Sequence, residues 1–589
     1  MKPPKKILLV LGMSALFFLL WFTAYRLLAE NQQPAHSEER GEKIQEQPTS
    51  IISGMVVPHH DIVRQRRTEF FTEIHKKFFA EENPKTVILI SPNHFEQGRA
   101  NIQTTNRVWH TDRGDISPAQ SVINILVQNG IAIQEPESFI REHGITLILG
   151  NIRQTFPGAT LVPIIVKRET TPAEIELLAT TLNTVCASCL VIASVDFSHY
   201  QPAALANLHD QLSLRALQNR DRTLLFKHAE VDSPAALAFL AQWATLRNTY
   251  QFNTFDHTNS GVITGQPDTE TTTHIFGWYQ EGTATAPNKS VTFAVAGDMM
   301  FGRAIGHSYE KKGFTHLFDT IGNRVLWGVD AAFANLEGPT TAQKVAYDPK
   351  LMSLSFLFPK TSIDALSFLH LDGVSLANNH TLNNGSAGLR ETRDLLQKSG
   401  ISPIGDPSHV TDTSVTFFTG EGLRLAVVGV HALVDSSGTA PLIRKLKKDP
   451  GNRILIFPHW GTEYALTHSK TQEALAKQWI DAGADLIIGA HPHVIQDIGV
   501  YKGAPIVYSL GNFIFDQSFS QETQQGLIVT GSFTGDGLSL YLFPHRSTRY
   551  QPTLLRGEEK QTIIDRITKN IKPYLKQSDA GSFLFFPNR

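Results

Sequence analysis

Five short apolar runs in the second half of this chain each stop at a carboxylate, an amide or an imidazole. Val291–Ala296 leads into Gly297-Asp298, Asp330–Ala334 into Asn335-Leu336-Glu337-Gly338, and Gly373–Leu376 into Ala377-Asn378-Asn379-His380. Arg453–Phe457 leads into Pro458-His459-Trp460-Gly461, with Glu463 just beyond, and Asp485–Ile488 into Gly489-Ala490-His491-Pro492-His493. Runs of this length bounded by turn residues read as buried strands, and the helical stretches between them imply an α/β fold. In such sheets ligands bind beyond the carboxyl ends of the strands. One such residue alone is a capping Asp or a satisfied His; five in series point to a shared crevice. Imidazole, carboxylate and amide together suit a divalent metal.

At 589 residues the chain exceeds a single core, and two or three domains are expected. Its net charge of −2, with no long basic block, argues against a nucleic-acid partner. Lys2, Lys5 and Lys6 precede an uncharged run, Ile7–Ala24. A helix of ~18 residues spans ~27 Å, enough for a bilayer core. The lysines hold residues 1–6 in the cytoplasm and place the bulk outside. Tyr25-Arg26-Leu27-Leu28 follows in place of a small-residue cleavage site, so an uncleaved signal anchor is expected. Residues 25–50 are a polar linker. The only cysteines, Cys186 and Cys189, suit either a small disulfide or two free thiols, and too few remain for a structural zinc site.

Apolar runs at Thr86–Ile90, Thr160–Val166 and Leu190–Ser194 alternate with helical stretches at Ala173–Leu182 and Leu205–Gln218. This marks a first α/β domain at 51–281 with a mainly parallel or mixed sheet. Gly282–Lys289 is a small-residue linker. A second α/β domain is expected at 290–548, followed by a helical tail at 549–589 with a helix over Glu559–Lys576.

The second domain closely resembles the CapA family of poly-γ-glutamate capsule-synthesis proteins. The matching elements are GDMMFGR (297–303), ANLEGP (334–339), SLANNH…NNG (375–385), PHWGTEY (458–464), GAHPH (489–493) and YSLGNFIFD (508–516). The resemblance implies kinship with calcineurin-like metallophosphoesterases, a four-layer α/β/β/α sandwich and a two-metal site of the Mn, Fe or Zn type. It makes Asp298, Glu337, Asn379, His459, His491 and His493 the metal ligands, and His380 the proton donor to the leaving group. The chain departs from the phosphoesterase pattern at Met300, where a second first-motif ligand is usual, and at Asn383, where many CapA proteins carry Asp.

The first domain resembles the Memo family, called AmmeMemoRadiSam system protein B in prokaryotes and similar in fold to LigB-type dioxygenases. The elements are VVPHHDIV (56–63), ISPNHF (90–95), REHGI (141–145) and ASVDFSHY (193–200). The resemblance implies a metal held by His59 and His94, with His60 the alternative to His59. Asp196, His199 and His143 would line the pocket. No cysteine stands where the family often has its third ligand, and Asp232 takes that place. A carboxylate there favours a harder metal such as iron. The bland alternative is an inert scaffold packed on its neighbour.

The N-terminal apolar run implies a single-pass, externally facing membrane protein, and the resemblances imply a place in envelope polymer biosynthesis of the capsule or poly-γ-glutamate type. Its partners would be the membrane and an anionic polymer or its synthesis machinery, and its second domain would carry a metal-dependent hydrolase-like centre. The rivals are a non-catalytic polymer-binding or assembly protein and a Memo-type metal-dependent oxidoreductase.

Overall fold

The computed structural model describes residues 51–186, 188–284, 286–345 and 356–589. The expected membrane anchor at 7–24, its tip at 1–6 and the linker at 25–50 lie outside them. Among the described residues no helix is long and apolar enough to cross a membrane.

The first region is built on an eight-stranded sheet. Thr160–Val166, Thr86–Pro92, Cys189–Ser194 and Ile52–Val57 run parallel at its centre. Thr273–Gln280 and Gln251–Asn259 extend one edge antiparallel. Side chains alternate between two cores. Val56, Ile88, Ile90, Val162 and Val191 pack under the helices Pro172–Val185 and Pro234–Leu246. Val57, Val87, Leu89, Leu161 and Ile192 pack under Arg64–Phe78 and His143–Thr155. Because both faces are covered, the strands are continuous apolar runs. Cys186 and Cys189 are disulfide-bonded across the turn that joins Pro172–Val185 to Cys189–Ser194.

The second region has two sheets. Ser402–Ile404, Gly373–Ser375, Ala331–Leu336 and Ser290–Met299 are parallel neighbours in a ten-stranded sheet, which Gln525–Thr534 and Gly537–Thr548 continue antiparallel. Arg424–His431, Asn452–His459, Leu486–Ile488 and Ala504–Val507 are parallel in a six-stranded sheet. Val291, Phe293, Val295 and Phe333 of one sheet share a core with Leu425, Val427, Leu455 and Phe457 of the other. The outer faces are covered by Ser362–Phe368 and Gly385–Lys398 on one side and by Thr439–Leu446 and Lys470–Ala482 on the other. The resulting order is helix, sheet, sheet, helix.

The expected helical tail at 549–589 is corrected. Its helix is Gly557–Thr568 and stops well short of Lys576. Pro573 bars a helix from running through this stretch. Beyond it, Leu575–Ser578 and Gly581–Pro587 form a hairpin that joins the ten-stranded sheet through Gly537–Leu540. Leu584 and Phe586 are buried on alternate positions, a strand period that the aromatic run conceals.

The two regions keep separate sheets but share a core. Ala203, Ala204, Leu205 and Leu208, at the start of the helix Ala203–Asn219, pack with Met299, Ile305, Phe318 and Leu326 of the second region. Arg215 on the same helix pairs with Asp330, both nearly buried. Residues 50–589 accordingly form one compact unit.

Candidate metal centres

Parallel strands bring their carboxyl ends to one edge, so the residues that follow them meet. In the second region Asp298 lies beside Asn335 and Asn512 on its two neighbouring strands. Asn335 Nδ2 donates to Asp298 Oδ1 (2.8 Å) and lies 3.4 Å from Glu337 Oε2. His493 Nδ1 sits 3.3 Å from Asp298 Oδ2, and its Nε2 sits 3.6 Å from Glu337 Oε1. His459 Nε2 lies 2.9 Å from Asn379 Oδ1. Two donor triads result, Asp298–Glu337–His459 and Glu463–His491–His493, each with its ligand-capable atoms within 4.8 Å of one another.

The backbone is forced to make this crevice. His491 and His493 both hold positive φ, 98° and 57°, a region that costs a non-glycine residue ~1–3 kcal/mol. Asp298 N–H donates to Gly511 C=O and His491 N–H to Asp298 Oδ2. Gly297 permits the first of these approaches: a Cβ there would lie 2.0 Å from the Gly511 oxygen.

The charges are badly matched without a cation. Burial lifts the Glu337 carboxyl well above its usual range, and Asp298 and Glu463 lift it further against the pull of His493. Burial pushes His459 well down, helped by the surrounding imidazoles, and pushes His491 down to about 4. It also acts downward on His493, but Glu337 and Asp298 outweigh it and hold that imidazole at about 9. Glu337 Oε1 and His491 Nδ1 are buried with no hydrogen-bond partner among the described residues. Buried polar atoms are rarely left so, and a hard-to-borderline divalent cation fits this donor set.

His380 stands at the edge of the crevice, 3.9 Å from Glu337. Its ring stacks on Phe356 at 3.6 Å, and its Nδ1 lies 2.9 Å from Asn383 Oδ1. Asn383 therefore still orients the imidazole. Burial pulls His380 below its ordinary value, and an amide opposes this less than a carboxylate would. Met300, where a further ligand is usual, is instead buried, its sulfur accepting from Gly302 N–H.

In the first region, the strand ends after Ile52–Val57, Thr86–Pro92 and Cys189–Ser194 deliver His59, His94 and Asp196. His59 Nε2 lies 3.3 Å from Asp196 Oδ2 and 3.4 Å from Asp232 Oδ2, and His94 Nε2 lies 3.7 Å from the same Asp232 oxygen. The rear nitrogens are held: His59 Nδ1 by Ser194 Oγ (3.1 Å) and His94 Nδ1 by Glu142 (2.5 Å). This is the way a second layer of partners turns imidazoles toward a metal. Again two triads form, His59–His94–His143 and His59–Asp196–Asp232. Asp232 Oδ1 is buried and unpartnered. Burial acts downward on His94, yet Asp232 and Glu142 raise it to about 10; burial acts upward on Asp196, yet His59 and His274 lower it to about 2.

His199 belongs to neither triad. Its N–H donates to Glu230 (3.2 Å), a fully buried carboxylate that also binds Ser198 and, across the shared interface, Arg324. His60 faces His274 at 3.0 Å. Glu463 lies within a donor triad, yet its position in a loop gave the sequence reading no ligand role for it. Asn335, Asn512, Glu142 and Ser194 lie inside the motifs quoted above, but their roles arise from strand register and loop packing, which those motifs do not assign.

Two family models match the chain: Memo-like protein over residues 28–271 and bacterial capsule synthesis protein PGA_cap over 292–517. The capsule biosynthesis protein CapA of Bacillus anthracis is 30% identical over 277 residues, covering 43% of this chain and 67% of that protein. The PGA biosynthesis protein CapA of Bacillus subtilis (strain 168) is 28% identical over 302 residues, covering 46% and 77%. A MEMO1 family protein of Thermotoga petrophila is 28% identical over 218 residues, covering 36% and 77%. The chain belongs to the CapA family of capsule biosynthesis proteins, with a Memo-like domain joined ahead of the CapA portion.

Proposed function

We propose that this protein acts in building an anionic, amide-linked envelope polymer of the poly-γ-glutamate type. In this reading a metal-dependent hydrolase-like centre in the second region does the work, held outside the cell by the segment at 7–24. The observation that carries the metal centre is the pair of donor triads in one crevice, with Glu337 Oε1 and His491 Nδ1 buried and unpartnered. The names of the similar CapA proteins support the polymer. Asp298, Glu337 and His459 would hold one cation and Glu463, His491 and His493 a second, with Asn379 beside them. The chemistry such a pair supplies is Lewis-acid activation of water and of a phosphoryl or acyl group. In its imidazolium form His380 would donate a proton from Nε2 to the leaving group, while Asn383 fixes its ring through Nδ1. The test compares the purified full chain with His491→Ala for bound divalent metal and for turnover of phosphomonoester, phosphodiester and γ-glutamyl amide substrates. The expected result is metal and turnover in the wild type, both reduced in the variant. Absence of metal and turnover in the wild type leaves the non-catalytic polymer-binding reading.

A second reading concerns the first region, where His59 is shared by an imidazole triad and a carboxylate triad. Two histidines with a carboxylate suit non-haem iron. Iron-dependent oxygen uptake that His59→Ala abolishes would support an oxidoreductase there.

A further inference from the structure

A cavity of about 260 Å³ shares a wall with the second-region crevice. The shared wall is Asn512. Its Oδ1 lies 2.9 Å from His493 Nδ1, while its Nδ2 donates to Gln517 Oε1 (3.1 Å) and to Thr523 C=O (2.9 Å), both in the cavity lining. Gln517 is held by Asn512 Nδ2 and donates to Tyr464 Oη (3.1 Å), and Gln524 Nε2 donates to the Ser518 and Ser520 carbonyls (3.2 and 3.1 Å). Among the described residues this leaves Gln524 Oε1 and the Tyr550 hydroxyl without a partner, and Arg549 is the only formally charged residue of the lining. Among the described residues no carboxylate pairs with Arg549; the nearby Asp516 is taken by Arg303 at 3.0 Å.

Arg549 and Tyr550 are held there against local preference. They are the two central residues of the hairpin between Gly537–Thr548 and Gln551–Leu554, in which Thr548 pairs with Gln551. Both have positive φ, 52° and 71°. A two-residue hairpin turn of this form selects Asn-Gly or Gly-Gly, because two positive φ values strain ordinary residues. An arginine and a tyrosine stand in this turn against that preference, and both line the one cavity.

We propose that this cavity is a carboxylate-recognition subsite. Arg549 binds the free carboxylate of one repeat unit of an amide-linked polyanion, and Gln524 Oε1 accepts from its amide N–H, so that the next linkage lies over the adjoining crevice. The space is below the ~300–1,000 Å³ typical of sites that enclose a drug-sized ligand, in keeping with a single repeat unit. The proposal rests on the polymer reading above and not on the metal. The probes are a short γ-linked glutamate oligomer and the same oligomer with its α-carboxylates amidated, titrated into the full chain by calorimetry, with bound metal measured alongside. The acidic oligomer should bind, the amidated one should not, and Arg549→Gln should weaken binding roughly tenfold or more, the loss of one charge-assisted hydrogen bond. Arg549→Gly separates recognition from folding: it should raise the melting temperature by relieving the turn, yet bind as poorly as the Gln variant. Wild-type affinity in both variants overturns the proposal, as does equal binding of the amidated oligomer. A metal-free wild type that binds the acidic oligomer through Arg549 removes the metal reading and leaves the subsite standing. A metal-loaded wild type that binds neither oligomer does the reverse.

Discussion

The Arg215–Asp330 pair allows a sharp test of whether the two regions are one cooperative structure. Arg215 is 5% and Asp330 8% exposed. Arg215 Nη1 donates to Asp330 Oδ2 at 3.1 Å while Nη2 engages the other oxygen. The partners are not equivalent. Asp330 also accepts from Thr292 N–H (2.8 Å) and Thr292 Oγ1 (3.0 Å), whereas Arg215 has only a 3.4 Å contact to Ser290 Oγ. Asp330→Asn therefore strands a buried guanidinium, at a cost of ~3–5 kcal/mol. Arg215→Met leaves a carboxylate that keeps two donors, and its cost should be the smaller ~1.5–3 kcal/mol of a lost charged hydrogen bond. The double variant should cost no more than Asp330→Asn alone, giving a coupling of at least the ~1.5–3 kcal/mol assigned to Arg215→Met. Hydrogen exchange of the full chain is the assay, because it reads local opening without assuming two-state unfolding. Protection should fall together in Ala203–Asn219 of the first region and Ala331–Leu336 of the second. Additive single costs, or loss of protection on one side alone, would refute the shared-unit argument.

Three further outcomes follow from the geometry. Gly297→Ala should leave little folded, metal-retaining protein, since its Cβ would overlap the Gly511 carbonyl; a soluble variant with wild-type metal content would show that the close approach is dispensable. His228 and His370 are both pushed to about 4 by burial, with nearby cations adding. They must gain protons when the chain unfolds, so stability is held above pH ~6.5 and lost as pH falls toward 4, by a few kcal/mol in all. Thermal melts should show that fall, and His370→Gln should shrink it. Asn383→Asp should favour the imidazolium of His380, the form that donates, and move the high-pH limb of turnover upward by roughly one unit; an unmoved limb would place that titration elsewhere.

The strand ends were legible because a parallel strand buried on both faces is an apolar run that stops abruptly, and the residue at the stop is where the crevice must lie. His59, His94, Asp298, Glu337, His459 and the His491–His493 pair all stand at such stops. Asn335 and Asn512 were visible within ANLEGP and YSLGNFIFD, but their approach to Asp298 was not, since it depends on the register of neighbouring strands. Glu463 was visible as a residue, but the loop that folds it back toward His491 carries no periodic signal. Ala203–Leu208 looks like any helix packing on its own sheet, and Arg215 and Asp330 look like surface charges. Their burial exists only because one region covers the other. The last hairpin hid behind an aromatic run in which every residue is large, so alternation could not be seen.

The helix Ala203–Asn219 has a consequence for biogenesis. Its N-terminal turn shares a core with Ile528, Phe543 and Ala580. Synthesis at ~5–20 residues per second delivers the last of these roughly 20–70 s after the helix itself. Until Asp330 follows, 115 residues after Arg215, that guanidinium is uncompensated, and the apolar surface stays incompletely covered until the last partner arrives. The cell must keep this intermediate from aggregating until the distant partner arrives, and a translation stall or truncation downstream of the first region would release a chain that has folded its sheet but cannot finish its surface.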